Sequence, residues 1–164
     1  MIIKEILNRR SVREYKEDTV PEKFIIEIIK AGQFAPTARN NRAINFLVVR
    51  EQKTKEGIFD IIGQEFLKKA SALIIPAIDK NKSVAPVQDL SIASENMLLQ
   101  ATALGIGGVW RNIRPEFEEQ IKRFLSIPQE CQVINAISLG YPANKTEPHT
   151  DADFDAAKIH KERW

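Results

Sequence analysis

Arg9, Arg10, Ser11, Val12 and Arg13 place three guanidinium groups and a hydroxyl within one short stretch. Side chains alternate along an extended segment, so Arg9, Ser11 and Arg13 there point to one side. Two forked cations and a hydroxyl converging on one point suit an oxyanion such as a phosphate monoester, because guanidinium offers paired N–H donors in a fixed plane. The residues leave a second reading open, a solvated basic turn. A second donor-rich stretch is APTARNNR, Ala35 to Arg42, which carries too many turn formers and polar groups for a helix or a central strand. A third is Gly105, Ile106, Gly107 and Gly108, where glycine permits left-handed backbone and close approach. It reads either as the C-cap of a core helix or as a side-chain-free wall for a planar ligand.

Other chemistry is absent from the pattern. His149 and His160 lie far apart in a polar tail, without Cys or carboxylates at metal-ligand spacing, so no metal is expected. Cys131 precedes a strand with no nucleophile elbow and reads as a structural thiol. Neither a G-x-S-x-G, a Walker nor a G-x-G-x-x-G motif occurs. Asp151, Asp153 and Asp155 alternate without the spacing or closing glutamate of a calcium loop. An enzyme built from this chain therefore draws its chemistry from a bound cofactor.

Composition narrows the class. The 164 residues are 43% hydrophobic and 28% charged, as in an ordinary globular protein, and fit one domain spanning 1–164. A net charge of +2 argues against nucleic acid or membrane as a partner. No apolar run approaches the ~20 residues of a membrane span, and MIIKEILNRR lacks the order of a signal peptide. A single cysteine cannot form an internal disulfide, which fits a reducing cytoplasm.

The elements that must position these stretches follow from periodicity. The spacing predicts a short amphipathic helix over Met1 to Arg9, and Thr19, Val20, Pro21 and Glu22 form a capping-box pattern opening a second helix with Phe24, Ile25, Ile28, Ile29 and Ala31 inward. Strands are expected over Asn45 to Arg50, Ser71 to Ile78 and Gln132 to Leu139, with Pro76 suggesting a sheet edge or strand end. Helices are expected over Lys53 to Phe66 and after Pro115, with Phe117, Ile121, Phe124 and Leu125 inward. From Gln88 a long helix carries Leu90, Ala93, Met97, Leu98, Ala101 and Leu104 at helical spacing, widened by Ile92, Leu99 and Ala103. Three or four strands among five helices make an α+β layered domain. So few strands leave much of the long helix bare, a problem that pairing with a second copy would solve.

RRSVREY, APTARNNRAINFLVV and ENMLLQATALGIGGVW, in that order, resemble the nitroreductase family, as do SLGYPANK and the closing IHKERW. The resemblance spans essentially the whole chain. It implies a three-layer α+β sandwich with a small central mixed sheet flanked by helices, working as an intertwined homodimer with FMN at the subunit interface. By the same resemblance Arg9, Arg10, Ser11 and Arg13 hold the FMN phosphate. Pro36, Thr37, Ala38, Arg39 and Asn40 reach the flavin from the partner subunit, and Gly107, Gly108 and Val109 form the turn whose backbone lies beside its ring. The implied activity is ping-pong: NADH or NADPH gives hydride to flavin N5, then a planar small-molecule acceptor such as a nitroaromatic or quinone takes the same place. No residue of the chain is assigned as an acid, base or nucleophile.

The chain departs from the family in two places. Arg42, Ala43 and Ile44 stand where many relatives have Gln-Pro-Trp, which alters the substrate-side pocket. The basic pair that many relatives carry after the Gly-Tyr-Pro turn is replaced by Thr150, Asp151, Ala152 and Asp153, leaving Lys145 as a candidate and implying weaker FMN binding. An alternative function is a flavin-binding protein with little turnover. Nucleic-acid contact by Arg9 to Arg13 is disfavoured by the low net charge and the lack of interleaved aromatics.

Overall fold

Every residue from Ala72 to Ile78 is buried, and the strand they belong to is the one on which the other layers are laid. The computed structural model describes residues 2–164. In chain order the elements are α1 (Lys4–Asn8), α2 (Glu22–Gln33), β1 (Ile44–Val49), α3 (Gln52–Ile62), α4 (Phe66–Lys69), β2 (Ala72–Asp79), α5 (Pro86–Ala103), β3 (Gly107–Asn112), α6 (Pro115–Phe124), β4 (Cys131–Gln132) and β5 (Asn135–Gly140). The strands lie in the order β1-β2-β5-β3, with β4 also paired to β2, and all these pairings are antiparallel. The sheet is mixed only through a parallel bridge between Ser11 and Gly108 at its β3 edge.

Side-chain alternation along β2 builds the three layers. Leu73, Ile75 and Ala77 enter one core with Ile58, Ile62, Leu67 and Ile121 from α3, α4 and α6. Ala72 and Ile74 enter the other with Ile25, Ile28, Met97, Leu98 and Ala101 from α2 and α5. Helices on both faces explain why β2 reads as a continuous apolar run.

Several sequence expectations shift. The N-terminal helix occupies only Lys4–Asn8, Ile2, Ile3 and Ile6 are exposed, and Met1 lies outside the described residues. The capping box does not form: Pro21 takes the cap position, and Glu22 pairs with Arg50 at 2.6 Å. Within α2 the buried residues are Ile25, Ile28 and Gly32, with Phe24 and Ile29 partly buried. The single helix expected to Phe66 breaks where Gly63 and Gln64 adopt positive φ, and α4 begins afresh. Pro76 sits in an interior strand opposite Phe46. On its other side it falls between the stretches paired with β5 and with β4, a break in the ladder that tolerates a residue without N–H. One strand expected over Gln132 to Leu139 is two, β4 and β5. The strand β3 was hidden because its sequence, GGVWRN, opens on two glycines.

Because Ile75 is fully buried between β2 and the α3–α6 layer, Ile75→Ala is expected to lower the unfolding free energy by about 2–5 kcal/mol in urea titration. A loss below about 0.5 kcal/mol, the size of an ordinary surface change, would contradict this packing.

Candidate functional site

Beyond α1 the chain meets the start of β3 and then the residues that follow β5. The Val12 N–H donates to the Gly108 carbonyl at 3.1 Å, Lys16 N–H to Tyr141 O at 2.9 Å, and Ala143 N–H to Glu14 O at 3.0 Å. Tyr15 fastens the segment to β5. Its hydroxyl donates to Val12 O at 2.7 Å and pairs with the Ser138 hydroxyl at 2.7 Å. Its ring fills the space beside Gly140, where a Cβ would lie 2.6 Å from it. Burial pushes the phenol pKa up, against the Ser138 hydrogen bond and the Arg13 charge.

This pairing sorts the arginine stretch into two sides. Val12 points inward against Gly107, where a Cβ would come within 2.8 Å of it. Its neighbours Ser11 and Arg13 are exposed, and Arg9 reaches Glu95 on α5 at 3.5 Å. Arg10 lies with Val12 on the other side. They line a cavity of about 470 Å³ together with Lys16, Gly105, Gly107 and Lys145. Arg10 also contacts His149, its Nη1 3.4 Å from Nδ1.

Gly107, Gly108 and Val109 open β3 rather than forming the expected turn; the turn itself is Gly105, at φ +72°. Their smallness serves packing. A Cβ at Gly108 would meet Leu98 of α5 at 2.9 Å, Leu139 at 3.2 Å and the Ser138 carbonyl at 3.3 Å. Val109 is buried in the α3–α6 core.

Pro36 to Arg42 forms a loop with a 3-10 turn at Ala38–Asn40, and Arg39, Asn40 and Arg42 all adopt positive φ. Left-handed backbone at three residues other than glycine needs an anchor. Asp89, in the first turn of α5, supplies it. Its carboxylate accepts from Ala38 N–H at 2.8 Å, Asn41 Nδ2 at 2.8 Å and Ser83 Oγ at 2.7 Å. Burial alone would push this carboxyl's pKa up. The hydrogen bonds from Ser83, Asn41 and Ala38 N–H outweigh that and hold it below the ordinary aspartate value. Asn41 in turn accepts from Ala43 N–H at 2.9 Å, which aims the chain into β1. Arg42 is exposed, with Nε donating to Asn40 Oδ1 at 3.2 Å. It faces a cavity of about 380 Å³ shared with Thr37, Asn40, Phe34, Ile44 and Phe46.

The loop and the glycine strand therefore sit at opposite ends of α5. From Asp89, which holds the loop, to Leu98, which packs on Gly108, the rise of 1.5 Å per residue gives about 14 Å along its axis. Within one chain the arginine stretch and the glycines come together; Pro36 to Asn40 do not join them. Asp89, Ser83, Asn41 and Tyr15 were not singled out by sequence, and His149 was weighed there only as a metal ligand. Asp89 left a signal, a lone acid on the row Ala93, Met97, Ala101 at four-residue spacing, which is buried throughout. Among the described residues no group of three or more His, Cys, Asp or Glu side chains could hold a metal ion, and no helix is long and apolar enough to cross a membrane.

A model of the nitroreductase family matches residues 6–79 and 62–141. A protein of Methanothermobacter thermautotrophicus provisionally named an NADH dehydrogenase/NAD(P)H nitroreductase is 38% identical, the match covering 99% of this chain and 87% of that protein. One of the same name from Archaeoglobus fulgidus is 36% identical, with 99% and 98% covered. Among solved structures, an FMN-dependent nitroreductase from Clostridium difficile R20291 superposes with a TM-score of 0.93 at 29% identity, covering 99% of this chain and 100% of that one.

The Asp89 anchor makes acid stability a direct readout. A carboxyl whose folded pKa is depressed contributes stability above its unfolded value, about 3.9, and loses it as pH falls through the lower folded value. Asp89→Asn turns one acceptor into a donor facing buried donors. It is expected to cost about 1–3 kcal/mol at pH 7 and to flatten the fall in stability below about pH 4, both measured by urea unfolding across pH. An unchanged acid limb would remove Asp89 from that role.

Proposed function

The chain belongs to the nitroreductase family, and from that premise we propose that it is an FMN-dependent oxidoreductase, carrying reducing equivalents from NADH or NADPH to a planar acceptor such as a nitroaromatic or a quinone. The observation that carries this reading is the pinning of the arginine stretch to β3, with Ser11 bridged to Gly108 and Val12 N–H bonded to its carbonyl. That pairing leaves Ser11 and Arg13 exposed at the start of β3, with Arg9 before them and Arg10 on the other side of the segment. The donor set fits a phosphate monoester, so the residues present suit FMN.

Bound FMN supplies hydride chemistry at its N5. The protein's own part is to hold, orient and leave a face open. Arg9, Arg10, Ser11 and Arg13 hold the phosphate, and Gly107, Gly108 and Val109 lie along the ring. Cationic charge from Arg39 or Arg10 favours the reduced, negatively charged cofactor. No side chain is required to move a proton. The acceptor is held by stacking, and Arg42 and Ile44 shape its surroundings.

A homodimer completes the site. Pro36, Thr37, Ala38, Arg39 and Asn40 lie at the far end of α5 from the glycines, so a second copy whose α5 runs antiparallel to the first brings its own loop to them. Exposed apolar residues on α5, Val87 and Ile92, support that packing, as do Phe154, Ile159 and Trp164 of the uncovered tail. The whole chain, 1–164, then acts as one FMN-binding domain in a reducing cytoplasm, where the buried Cys131 stays a thiol.

The purified protein is expected to be a dimer by light scattering, yellow with bound FMN, bleached by anaerobic NADH or NADPH and recoloured by a quinone. A flavin that stays yellow would favour a binding protein without turnover. A colourless monomer that ignores added FMN would overturn the assignment.

A further inference from the structure

The cavity of about 380 Å³ beside the loop of residues 36–42 has the make-up of a small-molecule site, apolar walls with a few polar groups. Phe34, Ile44 and Phe46 form the walls, and Thr37 and Asn40 bring a hydroxyl and an amide. Phe34 is 80% exposed, which leaves an aromatic face open to a planar ligand. Arg42 is the one charged residue in the lining; among the described residues no carboxylate shares the cavity with it.

The Arg42 side chain is held rather than trailing. Its backbone N–H donates to Thr37 Oγ1 at 3.3 Å, and Nε donates to Asn40 Oδ1 at 3.2 Å. That bond engages one corner of the guanidinium and leaves the paired Nη donors for another acceptor. The residue also sits at φ +49°, a left-handed backbone that glycine would adopt with less strain. What an arginine adds at such a position is its side chain, and residues held off the favoured backbone cluster where ligands are met.

We propose that this cavity selects planar aromatic acceptors bearing a carboxylate, the ring against Phe34 and Ile44 and the carboxylate on the fork of Arg42. The proposal rests on the FMN reading above, in which the same loop borders the flavin of a second copy. A guanidinium meets a carboxylate through parallel, charge-assisted N–H bonds. A carboxamide of the same shape has no charge and a single acceptor oxygen. The cavity therefore separates acid from amide by charge and fork geometry, while its walls treat the two rings alike.

The test is equilibrium binding of para-nitrobenzoate and para-nitrobenzamide to the oxidised, FMN-loaded protein without reductant, read from the flavin's visible spectrum. Wild type is expected to hold the acid roughly tenfold tighter than the amide, about the worth of one charge-assisted contact. Arg42→Gln should abolish that preference, and Arg42→Lys, which keeps the charge without the fork, should retain part of it. The amide reports the integrity of the cavity; where Arg42→Gln has lost the amide too, Arg42→Lys is read in its place. A protein that loads FMN but holds the acid no better than the amide, or binds neither, overturns the proposal alone. So does a loss confined to NADP+, with para-nitrobenzoate unchanged, which would assign the guanidinium to the nucleotide's phosphate. A protein that takes up no FMN overturns the cofactor reading and the proposal with it.

Discussion

A single buried carboxylate governs how the two ends of this molecule relate. Asp89 is almost fully enclosed, and ionising an enclosed acid is costly unless hydrogen bonds compensate. Ser83, Asn41 and the Ala38 amide provide them, so the loop before β1, the loop before α5 and the start of α5 are fixed relative to one another. The left-handed residues Arg39, Asn40 and Arg42 are tolerated because this network determines the loop's path more strongly than local preference does. The position at the first turn of α5 adds the favourable end of the helix dipole.

At the other end of α5 the constraint is steric. Leu98, Leu139 and Val12 fill the space that side chains at residues 107 and 108 would need, and Tyr15 fills the space beside Gly140. The strand edge can thus accept the arginine stretch as a neighbour, with Tyr15 bonded across to Ser138 and Val12. Polar anchoring at one end and close packing at the other give the long helix two rigid termini, each presenting groups that could meet a ligand.

Much of this was legible in the residues. The layered α+β class, the buried row of α5, Ile121 of α6 and the three family stretches follow from periodicity and motif, whereas Phe124, expected inward, and Ile92 and Ala103, expected to widen the buried face, are exposed. What failed to show had physical causes. GGVWRN carries too little β-forming sequence at its start to read as a strand, and only pairing with β5 and the N-terminal segment makes it one. Pro76 suggested an edge because the local rule cannot see a gap in the opposite ladder. Thr19 and Glu22 matched a cap whose acid is claimed by Arg50, a residue distant in sequence. His149 and Asp89 were invisible as partners because their contacts join segments many residues apart. Sequence distance hides exactly such polar links, whereas apolar period survives it. The grouping of Pro36 to Asn40 with the glycines comes from family likeness alone; one copy of the chain holds them apart.

The bridge between Ser11 and Gly108 bears on the sheet's exposure to other chains. A sheet border with unpaired amides and carbonyls is a template for unwanted association, and proteins commonly blunt such borders. Here the chain's own N-terminal segment covers the start of the β3 border, at Gly108, while among the described residues nothing pairs with the outer side of β1. A strand joining the sheet beside β1 meets the whole of Ile44–Val49, and that flank is the barer one at its full length.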